Sequence, residues 1–144
     1  MRGLPNDLIL GDPQLDAQHA FLFQLLDVAE QKPSMDPVEV ASIVKAMLLY
    51  CRVHFTYEEA MMLAEGFPRL AEHVADHQRI VSRCMDLANR VGSGSRPGRP
   101  VIAGGLTQPL IVETLRAWLR DHIMGRGIGD ACFVSWLKRG KTDL

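Results

Sequence analysis

The residues best able to do chemistry in this chain are five histidines and one glutamate whose spacing suits metal binding. In chain order they are His19, His54, Glu58, His73, His77 and His122. His54 precedes Glu58 by four residues, and His73 precedes His77 by four. Because residues four apart project from the same face of an α-helix, each pair can present its two side chains together. Several such faces turned inward form a metal site in the core of a helical bundle.

The five imidazoles favour a metal ion because they come from four separate helical stretches, at positions that the apolar periodicity turns inward. A single histidine on an apolar face is usually a core residue with a hydrogen-bonding partner. Five imidazoles in one core would be costly to desolvate, whereas a bound metal ion satisfies them together. Imidazole and carboxylate ligands without a thiolate suit iron, manganese or zinc, so the ligand types alone leave the metal open.

Four amphipathic stretches must position these residues, and the sequence marks their ends. Asp12 and Asp36 each precede a proline, which combines a helix N-cap with proline at the first helical position. Gly66 and Pro68 separate the second stretch from the third. The predicted segments are an N-terminal arm over 1–12, helices over about 13–31, 37–64, 68–91 and 107–125, a mobile loop over 92–106 and a short tail over 131–144. Together they predict one all-α domain, and we assign the tail no function.

The composition narrows the expected partners and location. A net charge of -1 from interspersed acids and bases leaves no basic stripe of the kind that binds nucleic acid. No apolar run is long enough to span a membrane, and the N-terminus lacks the pattern of a secretory signal. Cys51, Cys84 and Cys132 are odd in number and widely spaced, which is not a disulfide framework. We therefore expect a soluble cytoplasmic protein that binds neither nucleic acid nor a membrane.

Cys84 lies seven residues after His77 and therefore on the same helix stripe, so a role as a soft metal ligand has to be weighed. A free cysteine is commonly a small buried hydrophobe. We expect Cys84 to be one.

Four motifs, in this order, resemble the hemerythrin family and in particular its bacterial single-domain members. They are Asp16-Ala17-Gln18-His19, His54-Phe55-Thr56-Tyr57-Glu58-Glu59, the pair His73 and His77, and Trp118-Leu119-Arg120-Asp121-His122-Ile123. The resemblance extends from about Leu10 to His122. It implies an up-down antiparallel four-helix bundle around two non-haem iron ions joined by an oxo or hydroxo bridge, with dioxygen as the bound molecule.

The resemblance also implies a role for each residue of these motifs. The ligands implied for one iron are His73, His77 and His122, and those for the other are His19 and His54. Glu58 would bridge the two ions, and the iron with fewer histidines would keep a position for dioxygen.

Three further residues are expected to wall the oxygen pocket or to support the ligands: Leu119, Trp118 and Phe55. Ordinary core packing is an equal alternative for them. Glu59 is expected to be a solvated acid or to support a ligand, since one step along a helix turns it about 100° from Glu58.

The sequence departs from the family at one ligand. Family members carry a second bridging aspartate five residues after the last histidine, and this chain has Gly127 there. Losing that carboxylate leaves an uncompensated positive charge in a low-dielectric core. An external anion could replace the bridge, one ion could be lost or exchanged for another metal such as zinc, or Asp130 could act as a substitute ligand. On an ideal helix Asp130 is about 4.5 Å further along the axis than Gly127 and about 300° around, too far for a short side chain unless the neighbouring glycines unwind the helix.

Three hypotheses for the function are consistent with the sequence. The favoured hypothesis is a protein that binds dioxygen reversibly at a di-iron centre for carriage, storage or sensing, with no catalytic residues; its protein partner is unknown. A di-iron enzyme acting on peroxide or nitric oxide is an alternative, although the sequence shows no added acid or base for proton transfer. A metal-binding bundle with altered nuclearity is the other alternative, because the second bridging carboxylate is absent at Gly127.

Overall fold

The computed structural model describes residues 3–93, 108–125 and 128–142. Every regular element in these residues is helical, which confirms the all-α fold class. The elements are a short 3-10 helix Asn6–Leu8 and the helices α1 Pro13–Gln31, α2 Pro37–Glu65, α3 Leu70–Ser93, α4 Gln108–Met124 and α5 Asp130–Lys138. Helices α1 to α4 form the up-down bundle, and the 3-10 helix and α5 are its N-terminal and C-terminal additions. Gly127 and most of the predicted mobile loop lie outside the described residues.

Both Asp-Pro sequences start a helix. The Asp12 carboxylate accepts hydrogen bonds from the backbone N–H groups of Gln14 and Leu15, each at 3.0 Å. Asp36 and Glu39 form a capping box, in which each carboxylate accepts from the backbone N–H of the other residue. These bonds satisfy N–H groups that a helix start leaves unpaired. They fix where α1 and α2 begin. The helix starts in turn set the position along the bundle axis at which each helix places its histidine.

The turn between α2 and α3 depends on Gly66. This residue has a φ of 74°, in the left-handed region that favours glycine, and the Phe67 N–H then bonds the Met62 carbonyl oxygen at 2.9 Å. The tight reversal sends α3 back along α2. His73 thereby comes to lie beside Glu58, fifteen residues earlier in the chain.

The core consists of two apolar clusters with the histidine layer between them. The larger cluster includes Leu22, Phe55 and Leu119, and fills the bundle on one side of the layer. The smaller cluster joins the turn after α2 to α5 and consists of Leu15, Met62, Phe67, Phe133, Val134 and Trp136. Along α1 the buried His19 lies between Leu15 and Leu22. The polar layer is therefore enclosed by apolar packing at both ends.

The end of α4 and the start of α5 lie close together, since the Gly129 N–H bonds the Gly125 carbonyl oxygen at 3.0 Å. Helix α4 ends at Met124, and α5 begins at Asp130 with Gly129 as its N-cap residue. Most of α5 lies in the predicted tail, to which we assigned no function, and its first residue, directly before that tail, is the fully buried Asp130. No helix in the described part of the chain has the length and apolar character needed to cross a membrane.

Candidate metal centre

Four helices bring the six predicted ligands into one buried layer. Helix α1 contributes one histidine, α2 a histidine and the glutamate, α3 two histidines and α4 one. All six are at most 2% exposed: His19, His54, Glu58, His73, His77 and His122. Each projects from the inner face of its helix, so the layer follows from helical periodicity and from the way the helices pack.

Glu58 is at the centre of this layer, with its two carboxylate oxygens turned to different histidines. Its Oε1 is 2.8 Å from His54 Nε2 and 3.7 Å from His19 Nε2. Its Oε2 is within 3.3 Å of the Nε2 atoms of three other residues: His73, His77 and His122. One carboxylate between two groups of imidazoles is the arrangement that a bridge between two ions requires.

Asp130 enters the same layer from the start of α5. Its Oδ2 is 2.9 Å from His19 Nε2 and 3.2 Å from His122 Nε2, and its Oδ1 is 3.3 Å from His73 Nε2. The side chain is fully buried. Like Glu58, this carboxylate therefore contacts histidines of both groups.

The glycines on either side of Gly127 allow this placement. A Cβ on Gly129 would lie 2.6 Å from the Gly125 nitrogen and 2.7 Å from the His122 carbonyl oxygen, both backbone atoms. A Cβ on Gly125 would overlap the Asp121 carbonyl oxygen. The chain therefore folds back closely on the end of α4, which brings Asp130 to the layer instead of leaving it on a continued helix. The sequence left open whether these glycines interrupt the helix before Asp130, and in the structure they do: α4 ends at Met124 and α5 begins at Asp130.

The donor atoms fall into two groups that could each hold a metal ion. Within each group all ligand atoms lie within 4.8 Å of one another. The first group is Glu58, His73, His77 and His122, and the second is His19, His54, Glu58 and Asp130. We call these the three-histidine group and the two-histidine group. Glu58 belongs to both.

Several donor atoms in this layer lie close to one another but make no hydrogen bond among the described residues, because their contacts lack hydrogen-bond geometry. They are buried and include His54 Nε2, Glu58 Oε1 and Asp130 Oδ1, all in the two-histidine group. A buried polar atom without a partner is costly, and a bound cation would satisfy these three together. Imidazole nitrogens and carboxylate oxygens are donors that iron accepts. The residues present therefore fit a pair of metal ions.

The opposite charges in the layer shift the pKa values of its side chains. Burial opposes protonation of His19, but its hydrogen bonds to Asp130 and Glu58 outweigh burial and raise its pKa to about 9. Burial likewise opposes the charge on Glu58, yet His122 and His54 hold its pKa well below the usual value. The layer is thus built around anionic carboxylates, which attract either protons or metal cations to the imidazoles.

The outer nitrogens of four imidazoles face oxygen atoms that can accept a hydrogen bond. His77 Nδ1 is 2.7 Å from Glu59 Oε1, and His122 Nδ1 is 3.5 Å from Asp76 Oδ2. His54 Nδ1 is 2.6 Å from Gln18 Oε1, and His73 Nδ1 contacts the Ile128 carbonyl oxygen. An acceptor at Nδ1 favours the tautomer whose Nε2 lone pair points inward. This support is typical of histidines that bind metals.

Of the residues predicted to wall an oxygen pocket, Phe55 lies against this layer, and the other two lie in or against the larger apolar cluster. The Phe55 ring stacks on the His77 ring, with centroids 3.8 Å apart and planes 7° apart. Leu119 is buried in the larger cluster, and Trp118 is partly buried against it. A groove of about 550 Å³ between α2 and α3 has Phe55, Glu59 and His77 along its wall. It brings solvent nearest to the three-histidine group.

Comparison with known proteins agrees with this architecture. The family model described as the hemerythrin HHE cation binding domain matches residues 10–126. This chain belongs to the hemerythrin family. The match ends before Asp130, so the carboxylate contributed by α5 lies outside the matched residues.

Curated relatives in this family are named bacteriohemerythrin. The protein of Ralstonia nicotianae is 29% identical over 136 residues, which cover 94% of this chain and 88% of the relative. That of Methylococcus capsulatus is 28% identical over 109 residues, covering 75% of this chain and 76% of the relative. That of Stenotrophomonas maltophilia is 26% identical over 121 residues, covering 83% and 72%. No solved structure matches the chain.

Within this hemerythrin-like layer, sequence reasoning named Glu59 as a possible support for a ligand but missed Asp76 and the Ile128 carbonyl oxygen. Asp76 directly precedes His77 and is three residues after His73, so helical spacing could have identified it. Its contact with His122 lowers its pKa to about 2 despite partial burial. The Ile128 carbonyl oxygen has no signal in the sequence, because its position depends on the turn before α5.

Cys84 is buried in the larger apolar cluster and belongs to neither group of donor atoms. Burial raises the pKa of its thiol to about 11. A thiol that is protonated at neutral pH is a poor metal ligand, because the thiolate is the form that binds.

Proposed function

We propose that this hemerythrin-family chain holds two iron ions and binds dioxygen reversibly, for carriage, storage or sensing. In this assignment the three-histidine group binds one ion through His73, His77 and His122. The two-histidine group binds the other through His19 and His54. Glu58, which belongs to both groups, would hold both ions, and an oxo or hydroxo group from solvent would complete the centre. When bound, the iron pair supplies the electrons and the open position that dioxygen binding needs.

Asp130 is proposed as the second bridging carboxylate, in place of the aspartate that the family resemblance implies at the position of Gly127. The observation that carries this proposal is the position of its two oxygens, 2.9 Å from His19 Nε2 and 3.3 Å from His73 Nε2. These histidines belong to different groups. A carboxylate between them restores the negative charge that the sequence lacks at Gly127, which lowers the cost of two cations in a buried layer.

The surrounding residues prepare the site for this role. Gln18 and Glu59 accept hydrogen bonds from the outer nitrogens of His54 and His77, and keep the inner nitrogens free to bind metal. Asp76 lies 3.5 Å from the outer nitrogen of His122. Phe55 and Leu119 exclude water from one side of the layer. Exclusion of water favours reversible binding, because bulk water and protons promote irreversible oxidation.

The alternatives become weaker on this account. Altered nuclearity was motivated by a missing carboxylate, and Asp130 removes that motive. An enzyme acting on peroxide or nitric oxide would need a proton donor dedicated to its reaction. In the described chain the acids nearest the layer, Glu59 and Asp76, already face metal-binding imidazoles. A cytoplasmic location stays a prediction.

The proposal is tested by measuring iron per chain on purified protein and then the visible spectrum of the reduced form before and after exposure to air. We expect two irons per chain and a charge-transfer band that appears with dioxygen and disappears when dioxygen is removed. An irreversible spectral change with two irons bound would contradict oxygen carriage. Fewer than two irons would contradict the assignment of the ligands.

A further inference from the structure

The outer face of α2 is apolar although it faces solvent. Exposed residues recur along it at helical spacing and form what we call the outer stripe: Leu49, Val53, Thr56, Ala60 and Leu63. The side chains of Leu49, Val53 and Leu63 are 65%, 67% and 69% exposed. The Thr56 hydroxyl donates to the Arg52 carbonyl oxygen of its own helix at 2.8 Å, so its hydrogen-bonding need is met within α2. The outer stripe carries no charge.

A surface helix normally has one apolar face and one polar face, whereas a helix that is apolar all round is normally buried all round. The inner face of α2 already packs into the core through residues such as Met47, Cys51 and Met62. The outer stripe therefore adds a second apolar face that the described chain leaves uncovered. Contiguous exposed apolar surface of this kind marks an interaction site.

The arrangement of the outer stripe is symmetric about Thr56. Leu49 is seven residues before Thr56 and Leu63 is seven residues after it. Val53 is three residues before, and Ala60 is four after. We propose that the outer stripe is the interface of a two-fold symmetric dimer of this chain, in which α2 packs antiparallel on α2 of a second copy with the axis at Thr56. Leu49 then meets Leu63 of the second copy, and Val53 meets Ala60.

The charges beside the outer stripe select this antiparallel pairing. Arg52 and Glu59 lie on the same edge of the stripe, about 6 Å and about 4.5 Å along the helix from Thr56 in opposite directions. The two-fold axis therefore brings Arg52 of one copy to Glu59 of the other, twice by symmetry, and the Glu59 side chain is 36% exposed even though its Oε1 faces His77. Parallel pairing would place this edge of the two copies on opposite sides of the interface, where Arg52 and Glu59 do not meet. In the described part of a single chain, the Arg52 guanidinium contacts Met85 Sδ at 3.8 Å and pairs with no carboxylate. Complementary charge at the rim suits a second copy of this chain as the occupant.

The dimer is tested first by the molar mass of the metal-loaded protein in sedimentation equilibrium over a range of concentrations. Native protein is expected to show a reversible monomer–dimer equilibrium. Leu63→Asp places a buried charge in the interface and is expected to weaken the dimer at least about tenfold. Val28→Asp is the matched control, because Val28 is a 47% exposed aliphatic residue on α1, away from the outer stripe. A native protein that is monomeric throughout, or equal effects of the two variants, would overturn the proposal.

The two-fold axis is tested by cross-linking in a Cys132→Ser background, since Cys132 is partly exposed. Thr56→Cys places two thiols at the axis, and mild oxidation is expected to join the copies covalently. Leu49→Cys is the control on the same stripe, because antiparallel pairing holds its two copies about 21 Å apart, beyond the reach of a disulfide. Cross-linking of Leu49→Cys as fast as Thr56→Cys would contradict the antiparallel interface, and so would the absence of cross-linking at Thr56→Cys.

Discussion

The two groups of donor atoms in the metal layer differ in what supports their imidazoles. In the three-histidine group, Glu59 lies behind His77, Asp76 lies 3.5 Å from His122 Nδ1 as an ion-pair contact rather than a hydrogen bond, and the third imidazole faces a backbone carbonyl oxygen. In the two-histidine group, His54 is backed by the neutral amide of Gln18, and His19 Nδ1 has no partner within the described residues.

This difference has a physical consequence. A carboxylate behind an imidazole makes it a more basic ligand and fixes its orientation. We therefore expect the ion of the three-histidine group to be bound more tightly and to favour the higher oxidation state more strongly. On the proposed assignment, the ion of the two-histidine group would have fewer imidazoles and would depend on Asp130, which follows the close contact between Gly125 and Gly129. We therefore expect the three-histidine group, which lies entirely on regular helices, to bind its ion more tightly than the two-histidine group, which needs Asp130 at the start of α5.

The largest effect is expected from Glu58→Gln, because Glu58 belongs to both groups. Replacing this central carboxylate with a neutral amide removes a ligand from each ion and leaves both cations less compensated. We expect loss of both irons, measured as metal per chain, with helical content by circular dichroism retained. Glu72→Gln, at an exposed position on α3, is the control and should bind two irons. Retention of one iron by Glu58→Gln would show that the groups do not share this residue as a bridge.

A selective effect on the two-histidine group is expected from Gly129→Ala. The added Cβ would lie within 2.9 Å of three backbone atoms at the end of α4, so the turn must open and carry Asp130 away. We expect one iron per chain instead of two. Gly140→Asn serves as the control, because Gly140 has open space around it and a φ of 70° that asparagine tolerates. Two irons in Gly129→Ala would mean that the close turn is not needed to complete the second group.

A smaller effect is expected from exchanging the supports behind two histidines. Glu59→Gln gives His77 the same kind of neutral partner that His54 has, and should weaken metal binding by the three-histidine group about tenfold or more. Gln18→Glu is the reciprocal variant and should strengthen binding by the two-histidine group. Iron competition with a chelator gives the iron affinity of each group. The difference in affinity between the two groups should be smaller in each variant than in the native protein. An unchanged difference would show that the outer contacts do not set it.

The smallest effect on metal is expected from Cys84→Ala. Cys84 is buried in the apolar cluster and belongs to neither group, so iron per chain should stay at two. Loss of the buried sulfur should cost about 1 kcal/mol of unfolding free energy. Denaturant unfolding measures that cost. Loss of metal would mean that the thiol contributes to the centre after all.

The contrast between the two groups also explains what the sequence could predict. Histidines and Glu58 on regular helices follow from spacing, because position along a helix fixes the face from which a side chain projects. Asp12 and Asp36 fixed the helix starts by local capping, which a sequence displays directly. The all-α fold class was accordingly predictable.

The contribution of α5 was not predictable in the same way. Whether Asp130 continues α4 or turns back depends on backbone contacts among Gly125, Gly129 and the end of α4, which involve no side-chain pattern. Asp76 and the Ile128 carbonyl oxygen reach their imidazoles across the bundle, at distances set by packing. Sequence spacing says which face a residue occupies, whereas these contacts depend on what the opposite element presents.

The most direct test of the account is iron per chain in Asp130→Asn, compared with native protein and with Asp86→Asn as an exposed control on α3. Asparagine keeps the size of the side chain and removes its charge. We predict two irons in the native and control proteins and a single iron, without a reversible dioxygen spectrum, in Asp130→Asn. Two irons and an unchanged reversible spectrum in Asp130→Asn would contradict the claim that this residue supplies the second bridging carboxylate.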